Sequence, residues 1–296
     1  MKNTSSTTIW YHVDDLGATP QVSDIILTAW EEGLINSVSI FGNGDALNDI
    51  KKRLSLRSDE PIRISVHLNI SEGQALHDEK TRRFITDADN DLISGFGHIL
   101  KAWLLSGPKN KAALCQAVYM EWDEQIKKVK ETVYPRKIDA LDGHIQVHML
   151  PFLFPVTLSL AKKHGIPEIR ITKERFFLSK NLKDSLNTET PLNLIKHLLL
   201  NFLTVKNRRM AEKNGVGTPE WYVSILYTGI MTKETALSGI EKVKALNGKS
   251  VEVVFHIGRS NDRETSRWKK NPGVGLFYQS PNRDSELKEL ARLHNR

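Results

Sequence analysis

The segment IDALDGHIQVHMLP, which begins at Ile138, places an acid and two histidines at the end of an apolar run. Groups of this kind are costly to bury beside a hydrophobic strand unless something pairs with them. Asp142, His144 and His148 therefore need partners, and those partners must come from elsewhere in the chain. A carboxylate and two imidazoles offer the oxygen and nitrogen donors that divalent metal ions bind.

Other reactive side chains stand at the ends of other β-rich runs. They are Asp14 and Asp15 after TTIWYHV, His67 and Asn69 at the end of IRISVHLN, Arg170 in IPEIRI, and His256 at the end of VEVVFH. Taken singly, each has a structural explanation, because an Asp-Asp-Leu-Gly turn is a common helix lead-in and a lone histidine is often part of a core. Taken together, two imidazoles and a carboxylate indicate an open metal site, with a second carboxylate available as a base.

The elements that must position these residues alternate along the chain. TTIWYHV, from Thr7, has the β-branched and aromatic residues of a strand. Thr19 then predicts a helix N-cap, Pro20 occupies the first helical position, and Gly33 marks the helix end. Further strands are predicted in SVSI, IRISVHLNI, IDALDGH, IPEIRITKE and VEVVFHIG, long helices in YMEWDEQIKKVKETV and PLNLIKHLLLNFLTV, and a connector in GVGTPEWYVSILYTG.

Strands that alternate with helices imply parallel pairing and right-handed crossovers. About seven such units in 296 residues favour a distorted (β/α) barrel, a single domain over residues 1–296, although a doubly wound sheet gives a similar pattern. In a barrel the C-terminal ends of the strands converge on one face, where such folds place their chemistry. The predicted active site is therefore at that face.

Composition and charge narrow the function classes. Lys and Arg (42) outnumber Asp and Glu (35), but the excess lies in VKNRRMAEK and DRETSRWKK, which match no nucleic-acid motif, so we expect no nucleic-acid partner. The single cysteine, Cys115, rules out an internal disulfide framework and fits a reducing compartment. The N-terminus lacks a secretory signal pattern and no apolar segment is long enough to span a bilayer, so a cytoplasmic protein is expected.

The motifs VDDLG, HLN and DGHxxxH, in this order and spacing, resemble the YdjC-like carbohydrate deacetylases, which include chitooligosaccharide deacetylase. SVSI after the first helix, EWDEQIKKV before the DGH strand, FHIG near the end and SPNRDSELKEL at the C-terminus also fit the family's layout. The resemblance covers nearly the whole chain. It implies a metal-dependent hydrolase on a (β/α) barrel that removes acetyl groups from N-acetylated amino sugars.

The resemblance also implies roles for single residues. It implies that Asp15, His67 and His144 hold one divalent metal ion, that Asp14 is the base for an attacking water, and that His256 protonates the leaving amine. The donor set suits Zn²⁺, and a shell completed by waters suits Mg²⁺, Mn²⁺ or Co²⁺. The products are acetate and a free amino sugar.

Four further residues are candidate substrate contacts: Asn69, Gln146, His148 and Arg170. Asn69 has the alternative role of orienting a ligand, and Arg170 that of pairing with a structural carboxylate. The sequence departs from the family where Gln146 replaces a histidine, where Ile257 replaces a proline, and where Val13 replaces an alanine. These departures leave every implied metal ligand in place and bear on the identity of the sugar.

Two other functions fit parts of this pattern. One is a different single-metal hydrolase such as a phosphoesterase, although the sequence lacks the extra carboxylates and histidines of a two-metal site. The other is a catalytically idle sugar-binding protein on the same barrel. The sequence leaves the oligomeric state open, and a homodimer is suggested only by the prevalence of two-fold dimers among oligomers.

Overall fold

In the computed structural model, which describes residues 6–77, 83–181, 184–186, 190–265 and 272–294, the chain forms a sheet of seven parallel strands. The strands are β1 (Thr8–Leu16), β2 (Ser37–Ile40), β3 (Arg63–Leu68), β4 (Ala140–Gly143), β5 (Glu168–Ile169), β6 (Trp221–Val223) and β7 (Ser250–Phe255). Their order across the sheet is β5-β4-β3-β2-β1-β7-β6. The two edges curl toward each other, since Ile169 N–H donates to the Gly217 carbonyl just before β6 (3.0 Å). The predicted barrel is confirmed as a curled half-barrel in a single α/β domain.

Helices surround the sheet. In the described ranges they are α1 (Pro20–Glu31), α2 (Leu47–Leu56), α3 (Phe96–Leu105), α4 (Pro108–Val133), α5 (Phe154–His164), α6 (Thr190–Lys213), α7 (Lys233–Ala245), α8 (Asp262–Thr265), α9 (Pro272–Gln279) and α10 (Asn282–His294). In α4, Val118, Trp122, Ile126 and Val129 recur every three or four residues and are all buried. Each such side chain contributes about 1.5–3 kcal/mol to folding. Among the described helices, none has the length and apolar character needed to cross a bilayer.

The first strand–helix unit follows the local signals of its sequence. Thr19 caps α1, because its hydroxyl accepts the N–H of Val22 (3.2 Å), and Pro20 begins the helix. Gly33 follows the helix with a φ of 73°, a left-handed conformation that glycine adopts without a Cβ penalty. The predicted start and end of α1 are therefore confirmed.

Three predicted elements differ from the structure. β1 does not end at Val13 but continues to Leu16, so the predicted Asp-Asp-Leu-Gly turn lies mostly within the strand. The predicted connector GVGTPEWYVSILYTG contains β6, which pairs with β7. Only two residues of the predicted strand IPEIRITKE form β5. Strands of two or three residues are too short for side-chain alternation to reveal them.

Strand register decides which side chains meet at the C-terminal edge of the sheet. β3 and β4 place His67 opposite Asp142. β1 and β7 place Val13 opposite Phe255, so Asp14 and His256, the next residues of the two strands, are neighbours. Residues far apart in sequence are thus brought together at the face where parallel barrels place their chemistry.

Candidate metal centre and active site

A backbone irregularity near the end of β1 separates two consecutive carboxylates. Asp15 has a φ of 73°, which is uncommon for a residue with a side chain, and the β1–β2 register shifts at this point. Asp14 faces Arg170, whereas Asp15 faces His67 and His144. Positive φ values of this kind cluster at functional sites.

Three potential ligand atoms converge at the C-terminal edge. Asp15 Oδ1 lies 3.6 Å from His67 Nε2 and 3.3 Å from His144 Nδ1, and the two ring nitrogens are 3.3 Å apart. Ligands held about 2.0–2.1 Å from one ion are themselves roughly 3.0–3.4 Å apart. The structure therefore brings Asp15, His67 and His144, hereafter the triad, to the spacing of ligands around a single ion.

The surroundings of the triad favour a positive charge. Apart from the two ring nitrogens, the buried Asp15 Oδ1 has no hydrogen-bond partner in the described part of the chain. Burial alone would lower the pKa of His67, but the carboxylates of Asp14 and Asp142 outweigh burial and raise it. A buried carboxylate oxygen without a donor is an atom that a cation satisfies. The residues present therefore fit a divalent ion bound by two nitrogens and one oxygen.

Each triad histidine has an acid near its other ring nitrogen. His67 Nδ1 lies 2.7 Å from Asp142 Oδ1, and His144 Nε2 lies 3.7 Å from Glu72 Oε1. The Tyr278 hydroxyl donates to the same Glu72 oxygen (2.8 Å). Carboxylates in this position fix the tautomer and orientation of metal-binding imidazoles. Asp142, the acid of the DGH motif, thus finds its partner in His67.

A second acid–histidine group lies beside the triad and is built around an arginine. This arginine cluster consists of Arg170, Asp14, Asp142, Glu252 and His12. Arg170 donates to Asp14 (3.0 and 3.2 Å) and lies 3.0 Å from Asp142 and 2.6 Å from Glu252. Burial alone would raise the pKa of Asp14, but Arg170 is the foremost of the groups that hold it well below its usual value. Asp14 is therefore ionised at neutral pH.

His256 lies next to this cluster at the end of β7. Its Nε2 is 3.9 Å from Asp14 Oδ2, and its Nδ1 has no hydrogen-bond partner among the described residues. Burial lowers the pKa of His256 to about 4, so the ring is neutral at neutral pH. The ring also meets Phe277 edge-on, with the centroids 5.9 Å apart.

Helix α10 reaches the site from the far end of the chain. Arg283 Nη1 donates to Asp15 Oδ2 (3.0 Å), while its Nε and Nη2 donate to two carbonyl oxygens of the loop after β7 (2.7 and 3.1 Å). Arg283 therefore holds a triad carboxylate and the loop that follows His256.

Glu286 acts one turn further along α10. Its carboxyl accepts the backbone N–H of His256 (2.6 Å) and of Met231 (3.2 Å), and burial raises the pKa of Glu286 to about 8. No sequence motif predicted a role for Arg283 or Glu286. The available signal was their spacing of three residues in SPNRDSELKEL, which places both on one face of a helix.

A cavity of about 350 Å³ opens over the triad. Its polar lining comprises Asp14, Asp15, His67, His144, Gln146, Lys196, Tyr222, Thr228 and His256, and its apolar lining comprises Phe96, Ile145, Leu199, Leu200, Ile225 and Phe277. The volume lies at the lower end of the range for small-molecule sites, about 300–1,000 Å³. All the predicted metal-binding and catalytic residues therefore face one shared cavity.

The four candidate substrate contacts do not share one environment. Gln146 lines the cavity, and its amide nitrogen lies 3.3 Å from the Tyr222 hydroxyl. Asn69, His148 and Arg170 are buried outside the lining. The hydrogen bonds of these three side chains in the described part of the chain are to protein groups, and their contact with a substrate stays a prediction.

Asn69 and His148 each support a neighbouring segment. The Asn69 amide donates to the Glu72 carbonyl (2.7 Å) and so shapes the loop that carries Glu72. His148 Nε2 lies 2.9 Å from the Arg170 carbonyl. A Cβ on Gly143 would lie 2.6 Å from His148 Nδ1, so this close approach requires the glycine of the DGH motif.

The chain belongs to the YdjC-like protein family, since the model of that family matches residues 8–294. This finding confirms the resemblance that the three motifs indicated. The chain is 25% identical over 177 residues to a chitooligosaccharide deacetylase from Escherichia fergusonii. The matched residues make up 60% of this chain and 64% of that relative. It is 28% identical over 158 residues to a carbohydrate deacetylase from Vibrio parahaemolyticus. Here the matched residues make up 53% of this chain and 56% of the relative. The matches thus span less than two thirds of either relative.

A solved structure supports the fold over almost the entire length. The crystal structure of an Enterococcus faecalis protein, described provisionally as a cellobiose-phosphate cleavage protein, matches with a TM-score of 0.65 at 18% identity. The match covers 97% of this chain and 95% of that protein. At this level of identity the likeness concerns the fold alone.

Proposed function

We propose that the protein is a metal-dependent carbohydrate deacetylase that hydrolyses the acetamide group of an N-acetylated amino sugar or oligosaccharide. The observation that carries this proposal is the convergence of Asp15 Oδ1, His67 Nε2 and His144 Nδ1 under a cavity that Asp14 and His256 also line. The names of the two curated relatives support the reaction and the sugar class.

In this proposal the triad holds one divalent ion. Bound there, the ion supplies a Lewis acid for the acetyl carbonyl and lowers the pKa of a water. The role of the protein is to keep the ligand atoms converged, through Asp142 behind His67 and Arg283 behind Asp15. Metal analysis by mass spectrometry of the purified protein would distinguish zinc from magnesium, manganese or cobalt.

Asp14 accepts the proton of the attacking water. Its carboxylate is held in the cavity wall by Arg170 and is 3.0 Å from His12 Nε2, so it stays ionised and cannot swing away. A positioned base of this kind contributes roughly 10²–10⁴-fold to a rate.

His256 protonates the leaving amine, because an unprotonated amide nitrogen is expelled very slowly. With a pKa of about 4, the ring is neutral before the reaction and must receive a proton during turnover. Asp14 passes the proton that it took from the water to His256. Its Oδ2 lies 3.9 Å from His256 Nε2, so the two side chains must approach slightly for this transfer.

Substrate recognition is assigned to the cavity wall. Gln146 and Tyr222 present an amide and a hydroxyl to the cavity, which suits the hydroxyl groups of a sugar. Phe277 offers an apolar ring on the same wall. Arg170 supports this wall from behind, since its guanidinium lies 5.7 Å from the centroid of the Tyr222 ring, and His148 in turn contacts the Arg170 carbonyl. Asn69 supports the loop that carries Glu72.

The test is acetate release from a panel of N-acetylated sugars by metal-stripped and metal-reconstituted protein. Activity should require the metal, and Asp14→Asn should lose about 10²–10⁴-fold in kcat while it keeps normal metal affinity. Asp123→Asn, on the outer helix α4, is the matched control and should keep its rate. An Asp14→Asn variant with normal turnover would refute the base assignment, and a metal-loaded protein that binds sugars without releasing acetate would identify a binding protein.

His256→Ala needs a separate substrate comparison. Its defect should be large for sugar acetamides and small for acetyl esters of acidic phenols, because a phenolate leaves without a proton. Equal defects on both substrates would contradict the role of His256 as proton donor.

A further inference from the structure

Helix α6 has apolar side chains on two faces. Its inner face is buried in the domain through residues such as Leu200, Leu203 and Ala211. A surface helix normally turns charged residues to its outer side. The outer face of α6 instead exposes six large apolar residues, each between 43% and 77% accessible: Leu192, Ile195, Leu198, Leu199, Phe202 and Val205.

The exposed apolar area is large for the surface of a protein in water. At roughly 200 Å² for a fully exposed large apolar side chain, the six residues offer on the order of 700 Å². Phe176 extends this surface, since it is half exposed and its ring lies 6.4 Å from that of His197 on α6. Apolar patches on monomers rarely exceed a few hundred Å² and mark interaction sites where they do. The outer face therefore indicates an apolar surface that covers it.

The outer face becomes cationic toward the C-terminal end of α6. One stripe of exposed side chains runs along the helix at alternating spacings of four and three residues. Its first half is apolar and its second half is cationic. In chain order the stripe consists of Ile195, Leu199, Phe202, Lys206, Arg209 and Lys213. Apolar side chains combined with Lys and Arg are typical of helices that lie on anionic membranes.

Two grooves flank the cationic half of α6. One, of about 700 Å³, has Phe202 and Val205 in its lining. The other, of about 650 Å³, has Phe176, Leu198 and Val205 in its lining. Apolar side chains beside cations suit the acyl chains and phosphate groups of anionic lipids. The cations that line the two grooves are Lys173, Arg175, Lys206, Arg208, Arg209 and Lys213.

Acidic residues offset few of these cations. In the described part of the chain, Glu174 and Glu212 line the same grooves. Glu174 is buried and accepts backbone N–H groups, among them that of Ser224 (2.6 Å), whereas Glu212 lies 3.4 Å from Arg208. The sequence from residue 192 to residue 205 contains no Asp or Glu. The surface around α6 is therefore positively charged.

We propose that the outer face of α6 docks the protein on an anionic lipid bilayer. In the docked protein Phe202 enters the layer between headgroups and acyl chains, while Lys206 and Arg209 contact lipid phosphates. A bilayer suits this surface better than a folded partner protein, because fluid lipids fill both grooves, whereas a rigid partner must match the helix and both grooves at once. The attachment is to one face of the membrane, as for other amphipathic surface helices.

The docking face and the cavity over the triad share a border. Leu199 is 43% exposed on the outer face and also lines the cavity, and Lys196 beside it lines the cavity as well. The cavity of the docked protein therefore lies next to the lipid surface. The inference concerns membrane attachment and does not depend on the proposed deacetylation.

Co-sedimentation of the full chain with vesicles tests the docking. The native protein should bind vesicles of equimolar phosphatidylcholine and phosphatidylglycerol, and should bind phosphatidylcholine alone at least about tenfold more weakly. Phe202→Glu should weaken binding to the mixed vesicles at least about 30-fold, because it removes apolar contact and adds a like charge. Leu56→Glu changes a leucine on α2 that is 75% exposed and should weaken binding much less. A native protein that binds neither vesicle, or equal losses in the two variants, would overturn the proposal.

The cationic half of α6 is tested by neutralising two charges. Lys206→Gln combined with Arg209→Gln should weaken binding to the mixed vesicles about 30-fold, at about 1 kcal/mol for each cation. Lys51→Gln combined with Lys52→Gln changes two exposed lysines of α2 and gives the same net charge. This control should bind within about threefold of native, since its lysines lie outside the proposed contact. Equal losses in both double variants would mean that only the net charge of the protein attracts it to the vesicles.

An environment-sensitive label tests whether the apolar half enters the lipid. In a Cys115→Ser background, Phe202→Cys and Leu56→Cys chains are each labelled with a maleimide dye whose emission shifts to shorter wavelength in apolar surroundings. Mixed vesicles should shift the emission of the dye at position 202 and leave that at position 56 unchanged. Vesicle binding without a shift at position 202, or with equal shifts at both positions, would contradict docking through α6.

Discussion

The triad and the arginine cluster are built from the same residue types but are completed in different ways. In the triad, Asp15 Oδ1 is buried without a hydrogen-bond donor. In the arginine cluster, the guanidinium of Arg170 contacts three buried carboxylates at 3.0 Å or less. Both groups have three acid or histidine atoms close enough to surround an ion. What separates them is how far the internal cation reaches, because Arg170 contacts all three acids of its cluster, whereas Arg283 contacts only Oδ2 of Asp15 and leaves Oδ1 open.

This difference shows why residue type alone does not identify a metal site. Buried carboxylates must be paired, and the arginine cluster pairs them within the chain. The triad leaves one oxygen and two nitrogens facing the cavity, so the cation that completes it has to come from solvent. Asp14 and Asp15, adjacent in sequence and with Asp15 in a left-handed conformation, belong to different groups.

The largest expected effect comes from removing the internal cation. Arg170→Met should lower the free energy of unfolding by about 3–5 kcal/mol, because it leaves Asp14, Asp142 and Glu252 buried without their cation. Arg57→Met, which removes a half-exposed arginine paired with Glu60, should cost less than about 1 kcal/mol. Urea unfolding of the native protein, Arg170→Met and Arg57→Met measures the loss in free energy of unfolding for each variant. Equal losses in the two variants would mean that Arg170 does not hold the cluster together.

Removing one histidine from each group tests the comparison directly. His144→Ala should weaken metal binding by about 2.5–4 kcal/mol, or roughly 70- to 900-fold, if the ~10–16 kcal/mol of a four-ligand site is shared among its ligands. His12→Gln, in the arginine cluster, should leave the affinity within severalfold of native. Competition with a chromophoric chelator measures both. If His12→Gln weakened metal binding as much as His144→Ala, the ion would lie in the arginine cluster and not in the triad.

The fold and the inner part of the site follow from the sequence because they depend on local patterns. TTIWYHV, Thr19 and Pro20 identify a strand and a helix start, and the C-terminal ends of parallel strands must share one face. His67 and His144 could therefore be placed near Asp15 without coordinates. Strand β6 was missed because three residues, Trp221–Val223, carry no periodicity.

The outer parts of the site could not be predicted because they depend on tertiary packing. Arg283 lies 268 residues from Asp15, and no local signal links a C-terminal helix to the first strand. Arg170 appeared equally suited to a sugar and to a carboxylate until the register placed it among three acids. Likewise, the φ of Asp15 is a property of the folded backbone, whereas the Asp-Asp pair alone suggested a simple turn.

A smaller effect is expected from loosening the triad from outside. Arg283→Met should weaken metal binding about 10- to 100-fold, as is typical when a group that orients a ligand is lost, because Asp15 Oδ2 would no longer be held at 3.0 Å. Lys288→Met changes an exposed residue of the same helix and should have no effect. Isothermal titration of metal-free proteins gives the affinities. If Arg283→Met bound the metal more tightly than the native protein, the repulsion between the Arg283 guanidinium and the ion would be larger than the benefit of orienting the Asp15 carboxylate.

The smallest effect is expected at a third carboxylate group, outside the sheet. Asp123 on α4 lies 2.7–2.9 Å from Lys127, Lys163 and His164. Burial alone would raise the pKa of Asp123, but hydrogen bonds from the two lysines, Lys163 foremost, and from the His164 ring lower it to about 2. Because the folded-state pKa is below the unfolded value of about 3.9, this pairing stabilises the fold above pH 4 and is lost as the pH falls toward 2.

Asp123→Asn should therefore lower the free energy of unfolding by about 1 kcal/mol or less at pH 6, since solvent screens the exposed lysines. The difference from the native protein should shrink as unfolding is measured at successively lower pH between 4 and 3. Glu131→Gln, an exposed acid on the same helix, is the control and should show no such trend. An Asp123→Asn loss as large as that of Arg170→Met would remove the distinction between the two pairings, because an acid paired with half-exposed lysines would then stabilise the fold as much as acids paired with an enclosed arginine.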